Sequence, residues 1–144
     1  MQLTDIIDNF ASAKVLCIGD IMLDRYAYGS VSRTAPEGNA PVLLIHDEKL
    51  MLGGAGNTLS NIANLDAKTY AMGVIGEDAT GAAITQILDK DNIDTAGLVI
   101  DPSRPSISKS RYVRQNTQDE NEHIVRVDYE QTHDIDETIE DKFI

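Results

Sequence analysis

Hydrophobic positions along the chain fall into short blocks whose period changes from one block to the next. In "LTDIIDNFAS", Leu3, Ile6, Ile7 and Phe10 recur at helical spacing, with Thr4 and Asp5 near the start. "KVLCIGD" is a continuous apolar run ending in Gly-Asp, which predicts a strand covered on both faces, as in a parallel sheet. "PVLLIHDEKLM" opens with proline, is rich in strand formers and predicts a second strand. "GGAGNTLSNIANLDA" opens on glycines and continues with Leu59, Ile62 and Ala63 as a helical stripe. "KTYAMGVIG" returns to strand character. "EDATGAAITQILDKDNI" predicts a helix capped by Asp78, with Ile84, Ile87 and Leu88 on one face. "AGLVID" is a short strand.

Strand and helix alternate up to this point, which indicates an α/β fold with a mostly parallel sheet flanked by helices. Then the period becomes two. "SISKSRYVRQN" and "EHIVRVDYE" flank the polar turn "TQDEN" and predict an antiparallel hairpin. Lys109 and Arg111 share one face of its first arm; Ile124, Arg126 and Asp128 share one face of its second. The last segment, "DIDETIEDKFI", predicts a helix with Ile139, Phe143 and Ile144 as its apolar stripe and no counter-surface to bury it. An α/β sheet of three or four strands with one edge unfinished looks like the first half of a larger domain.

The chain has 144 residues, enough for one core, and 42% of them are hydrophobic, which excludes wholesale disorder. Twenty-four acidic residues against twelve basic ones give a net charge of −12, so sequence-independent nucleic-acid binding, driven by phosphate neutralisation, is excluded. The acidic excess is concentrated from Thr117 to Ile144 and reads as a solvated surface. A single cysteine, Cys17, sits inside an apolar run and predicts a buried thiol. No basic leader precedes an apolar stretch, and no segment approaches the roughly 18 apolar residues of a membrane span. A soluble, cytoplasmic chain is expected.

Two stretches carry chemistry. "GGAGN", Gly53 to Asn57, places consecutive glycines at a helix start, where backbone amides can approach a ligand closely. Asn57 both donates and accepts, which suits a sugar hydroxyl. No Gly-Lys-Ser/Thr follows, and the glycine spacing is not that of a dinucleotide fingerprint; a plain glycine-rich turn is the alternative. The second stretch is "GDIMLDRYAYGSVSR". Asp24 is expected just past the C-terminal end of the first strand, where parallel α/β sheets bind ligands, and its carboxylate can accept from adjacent hydroxyls. Arg25 and Arg33 can meet an anion, since guanidinium forks onto phosphate; taken singly, each is better read as half of a surface ion pair.

Together with "APEGNAPV" and "GVIGEDATG", these stretches resemble, in order and spacing, the ribokinase-like (PfkB) sugar kinases. Within that family the resemblance is to the heptose-7-phosphate kinase domain of bifunctional ADP-heptose synthases. That group has a Gly-Asp-x-Met-Leu-Asp-Arg-Tyr opening, a Ser-Pro-Glu-x-x-x-Pro-Val segment, and a region similar to "RQNTQDENEHIVRVDYE". The likeness runs from about Lys14 to Glu130. "TAPEGNAP" departs from the group's pattern but keeps Pro36, Glu37, Pro41 and Val42.

The resemblance implies the N-terminal half of a ribokinase-like fold with a β-stranded lid, made of residues from about 25 to 48 and from about 106 to 129. It implies that Asp24, the Gly53–Gly54 backbone and Asn57 bind sugar hydroxyls. It makes Arg33, Lys109 and Arg111 the candidates for the phosphate of a sugar phosphate. The parent enzyme would use ATP and Mg2+ and would pair as a homodimer through its lid. The family's Gly-Ala-Gly-Asp motif, which supplies the catalytic aspartate, is absent from the 144 residues; the one Gly-Ala-Gly triplet, Gly54 to Gly56, is followed by Asn57. No catalytic residue and no metal ligand is therefore assigned. The alternatives are a family kinase for another sugar or a nucleoside, and a non-catalytic module that binds sugar phosphate or dimerises.

Overall fold

The computed structural model describes residues 4, 7, 9–115 and 121–143. Thr4 and Ile7 have helical backbone, and Phe10–Ser12 forms a 3-10 turn; Leu3, Ile6 and Ile144, the other members of the terminal stripes, lie outside the described residues. The chain then runs through β1 (Lys14–Ile18), β2 (Ile21–Thr34), β3 (Pro41–Gly54), α1 (Ala55–Ala63), β4 (Lys68–Ile75), α2 (Ala79–Lys90) and β5 (Asp94–Ile100). It continues through β6 (Ser108–Gln115), β7 (Asn121–Tyr129) and the short α3 (Glu137–Glu140), which ends in a 3-10 turn, Asp141–Phe143.

These strands make two sheets. One is parallel, in the order β1-β4-β5, and the other is mixed, in the order β3-β2-β6-β7. Both crossovers of the parallel sheet run in the same direction, so right-handed connection puts α1 and α2 on one face. Ile21, Leu52, Leu59, Ala71, Ile75, Ile84, Leu88 and Ile93 fill the space beneath them as one core. The other face of β1 is open: Leu16 is 54% and Ile18 67% exposed. An apolar run predicts cover on both faces, but among the described residues the helices cover only one. Cys17, on the helix side, is half-buried rather than enclosed; its thiol lies 3.9 Å from the Ala55 carbonyl.

"PVLLIHDEKLM" does not join the parallel sheet. It continues as the 14-residue β3, antiparallel to the equally long β2. β2 also pairs in parallel with β6, and β6 forms the antiparallel hairpin with β7. The final helix differs from expectation too: it is a single turn, and Ile139 is buried.

The two sheets are joined by a polar staple that rests on one carboxylate. Asp78 caps α2, its Oδ1 accepting from the Gly81 N–H at 2.7 Å, while Oδ2 accepts from the Ser106 N–H at 2.9 Å. The buried Ser106 hydroxyl accepts from the Gly76 N–H at 2.8 Å. Ser106 lies two residues before β6, so the staple fixes the root of the second sheet to the end of β4. Burial pushes the Asp78 carboxyl up, but the backbone donors outweigh it and hold it below its ordinary 3.8. Its contribution is thus present above that value and is lost as pH falls through the folded value. Asp78→Ala should lower stability by about 2 kcal/mol at neutral pH, through the lost cap and the orphaned Ser106 amide. Urea melts should show this loss shrinking as pH falls below 4, and a smaller loss for Asp136→Ala, which caps the exposed α3.

Candidate functional site

Alternation along four strands collects the polar groups on one face of the mixed sheet. Asp24 stands opposite Met51 of β3 and Lys109 of β6; Tyr26 stands opposite Lys49 and Arg111; Lys109 and Arg111 stand opposite Asp128 and Arg126 of β7. Asp24 therefore lies within β2 rather than in a loop past β1. The chain turns at Gly19–Asp20 and re-enters extended structure at Ile21, whose buried side chain together with Leu23 and Ala27 holds the other face of the strand against the body.

The central contact is a hydrogen-bonded ion pair. Arg111 Nη1 donates to Asp24 Oδ1 at 2.6 Å, and the two side chains are 19% and 18% exposed. The Arg111 guanidinium also lies 5.0 Å from the centre of the Tyr26 ring, and the Tyr28 ring stacks behind at 6.1 Å. The hydrogen bond to Asp24 raises the Arg111 pKa against the opposing effect of burial. Beside it, Lys109 Nζ donates to Glu130 Oε2 at 2.9 Å and to Asp128 Oδ2 at 3.2 Å, and these bonds raise its pKa. Arg126 Nε donates to Asp128 Oδ1 at 2.9 Å. Burial pushes the Asp128 carboxyl up, yet the bonds from Arg126 and Lys109 hold it below the usual range. Lys109, Arg111 and Arg126 are thus paired with Asp24, Asp128 and Glu130, while Lys49 on the same face lies 5.6 Å from the centre of the Tyr28 ring.

The glycine pair closes the site on the β3 side. A Cβ on Gly53 would stand 2.7 Å from Asp24 Oδ2, so only glycine leaves this carboxylate in place. Gly54 takes φ +57° at the N-cap of α1, where a Cβ would meet the Asp20 carbonyl at 2.5 Å. No side chain caps α1, and the Ala55 N–H at its start bonds the Asp20 carbonyl at 2.9 Å. Asn57 is exposed on this first turn, three residues beyond Gly54.

The structure brings Asp24, Gly53, Lys109 and Arg111 together, with Gly54 and Asn57 at the adjoining helix start. Arg33 is not with them. It is exposed near the far end of β2, nine residues from Asp24 and so roughly 30 Å along the strand. Arg25, on the face opposite Asp24, forks onto Glu48 at 2.7 and 2.8 Å. Sequence reasoning did not assign Tyr26, Arg126, Asp128 or Glu130. The period-two alternation of "HIVRVDYE" carried the signal for Arg126 and Asp128, but only the register of β6 on β7 shows what they face.

Glu130 also borders an open cavity of about 540 Å3 at the C-terminal end of β1 and β4, lined among others by Asp20, Gly73, Arg104 and Asp134. Arg104 donates to Asp101 at 3.0 Å and to the His133 and Asp134 carbonyls at 3.4 and 3.0 Å. Its guanidinium is committed to holding the 130–135 segment across the cavity. Among the described residues no group of three or more His, Cys, Asp or Glu is placed to hold a metal ion. Nor is any helix among them long and apolar enough to cross a membrane.

Three comparisons bear on this arrangement. A family model described as pfkB family carbohydrate kinase matches residues 12–140. "Bifunctional protein HldE" of Bradyrhizobium sp. (strain ORS 278) is 41% identical over 141 residues, 97% of this chain and 28% of the relative. The protein of the same name from Rhodopseudomonas palustris (strain BisA53) is 43% identical over 116 residues, 81% of this chain and 23% of the relative. The chain spans about a quarter of the length of these curated relatives. Among solved structures, Arabidopsis thaliana ribokinase complexed with ribose and ATP superposes with a TM-score of 0.58 at 20% identity, over 80% of this chain and 35% of that one. This last likeness concerns the fold.

Proposed function

The chain belongs to the pfkB family of carbohydrate kinases, and from that premise we propose that it forms the sugar-binding portion of an ATP- and Mg2+-dependent sugar-phosphate kinase. The proposed substrate is D-glycero-β-D-manno-heptose 7-phosphate, in the cytoplasmic synthesis of lipopolysaccharide precursors. One observation carries this reading: a carboxylate, Asp24, seated against the glycine pair with a guanidinium in hydrogen-bonding reach. The carboxylate and the α1 amides suit vicinal hydroxyls, and Arg111 suits a phosphoryl group. The match to the pfkB family of carbohydrate kinases and the ribose in the Arabidopsis complex support a sugar as ligand. In this reading the mixed sheet is the lid that excludes water from the sugar. Lys109 holds Asp128 and Glu130 in place beside the phosphate rather than meeting it alone, and Arg33 belongs to the outer end of the lid.

The experiment is a calorimetric titration with heptose 7-phosphate, ribose 5-phosphate, fructose 6-phosphate and adenosine. The heptose phosphate is expected to bind at least about tenfold more tightly than the others. Equal or tighter binding of adenosine or another sugar phosphate would move the assignment to a different kinase of the family. For the 144 residues taken alone, the absence of Gly-Ala-Gly-Asp favours a binding module over a complete enzyme.

On the lid face opposite Asp24, the edge strand β7 exposes Val125, Val127 and Tyr129 side by side. We assign this apolar surface to a second copy of the chain. The net charge of −12 opposes association, and salt screens that repulsion over a Debye length of about 8 Å at physiological strength. Light scattering should therefore show self-association that grows with salt and is lost in Val127→Asp. A monomer at both low and high salt would contradict the assignment.

A further inference from the structure

The group proposed to accept sugar hydroxyls is the same group that accepts from Arg111. Arg111 Nη1 holds Asp24 Oδ1 at 2.6 Å, and Oδ2 occupies space that a Cβ on Gly53 would enter. A pair of vicinal hydroxyls that takes both oxygens of Asp24 displaces a charge-assisted bond and leaves behind a guanidinium that is only 19% exposed. The neighbouring cations do not change this. Lys109 already has two carboxylates, Arg126 is bonded to Asp128, and Lys49 lies over the Tyr28 ring at 5.6 Å. Among the described residues Asp24 is the one side-chain acceptor of Arg111, and the Tyr26 ring at 5.0 Å keeps the guanidinium in the site once that bond is broken.

We propose that the Arg111–Asp24 pair is an exchange contact that makes sugar binding conditional on an anion: a phosphoryl group takes Arg111, and only then is Asp24 released to the hydroxyls. The inference rests on the reading of Asp24 as a hydroxyl acceptor. It makes Arg111 a specificity-determining residue, one that discriminates phosphorylated sugars from free ones through the cost of an unpaired guanidinium. A dianion supplies that partner and a hydroxyl does not. Phosphate and free sugar should then bind with positive, reciprocal coupling.

Two arms test this by calorimetry. In the first, inorganic phosphate alone is titrated into the wild type and into Asp24→Asn, which removes the competing charge at constant size. Phosphate is expected to bind Asp24→Asn about tenfold more tightly; unchanged or weaker binding would overturn the proposal. In the second, free heptose, ribose and fructose are titrated with and without saturating inorganic phosphate. The wild type should bind its sugar about tenfold more tightly with phosphate present, a comparison that needs no variant. Arg111→Gln should bind the free sugar without phosphate more tightly than the wild type does and show no response to phosphate. A wild type that binds free sugar equally well in both conditions overturns the exchange while leaving the sugar site standing. Failure of every sugar and sugar phosphate to bind overturns the reading of Asp24 and the exchange with it.

Discussion

Asp24→Ala is expected to weaken sugar-phosphate binding by about a hundredfold or more while leaving the fold standing. Two hydrogen bonds from sugar hydroxyls to an ionised carboxylate are each worth about 1.5–3 kcal/mol, and about 1.4 kcal/mol corresponds to a tenfold change in affinity. The structural penalty is smaller. Asp24 lies on the polar face of β2, away from the Ile21–Leu23–Leu52 core, so its removal opens no core cavity. What is lost is the partner of Arg111, about 1–2 kcal/mol for a pair that retains some solvent. Calorimetry and a thermal melt on the same sample separate the two effects. An affinity unchanged within twofold would remove Asp24 from the site.

The second large effect is on turnover. A polypeptide of these 144 residues is expected to release no ADP in response to sugar phosphate above a protein-free blank. General-base assistance contributes about 10²–10⁴-fold, and the Gly-Ala-Gly-Asp motif that the family resemblance makes responsible for it does not occur in the sequence. The three carboxylates nearest the proposed phosphate are committed elsewhere: Asp24 to Arg111, Asp128 to Arg126 and Lys109, and Glu130 to Lys109. A coupled ADP assay on a mass-verified chain decides the point, and sugar-dependent turnover would mean that a base among these residues does the chemistry.

The fold was legible where one physical signal dominated. The helical stripe of Ile84, Ile87 and Leu88 behind an aspartate cap, and the alternation of the β6–β7 hairpin, appear where the pattern put them. The apolar run after Pro41 was ambiguous, because continuous hydrophobicity marks a strand without saying which sheet it joins. β2 was harder still: Gly19–Asp20 reads as an end, and Asp24, Arg25 and Tyr26 read as loop chemistry. Yet Ile21, Leu23 and Ala27 already supply the alternation of a strand with one buried face. Asp24, Gly53 and Arg111 could be named as candidates, whereas their arrangement depends on register. That Asp24 faces Arg111, that Lys109 is saturated by two carboxylates, and that Arg33 is far away follow from pairings between residues as many as 87 positions apart.

The central claim is that the Asp24 face and the start of α1 together form a sugar-phosphate site. Titrating heptose 7-phosphate into the 15N-labelled protein tests it most directly, by following each backbone amide. The account predicts saturable shifts concentrated at Met22–Tyr26, Gly53–Asn57 and Lys109–Arg111, with little change in the outer lid around Arg33. Shifts confined to the cavity lined by Asp20, Arg104 and Asp134, or no saturable shift at all, would contradict it.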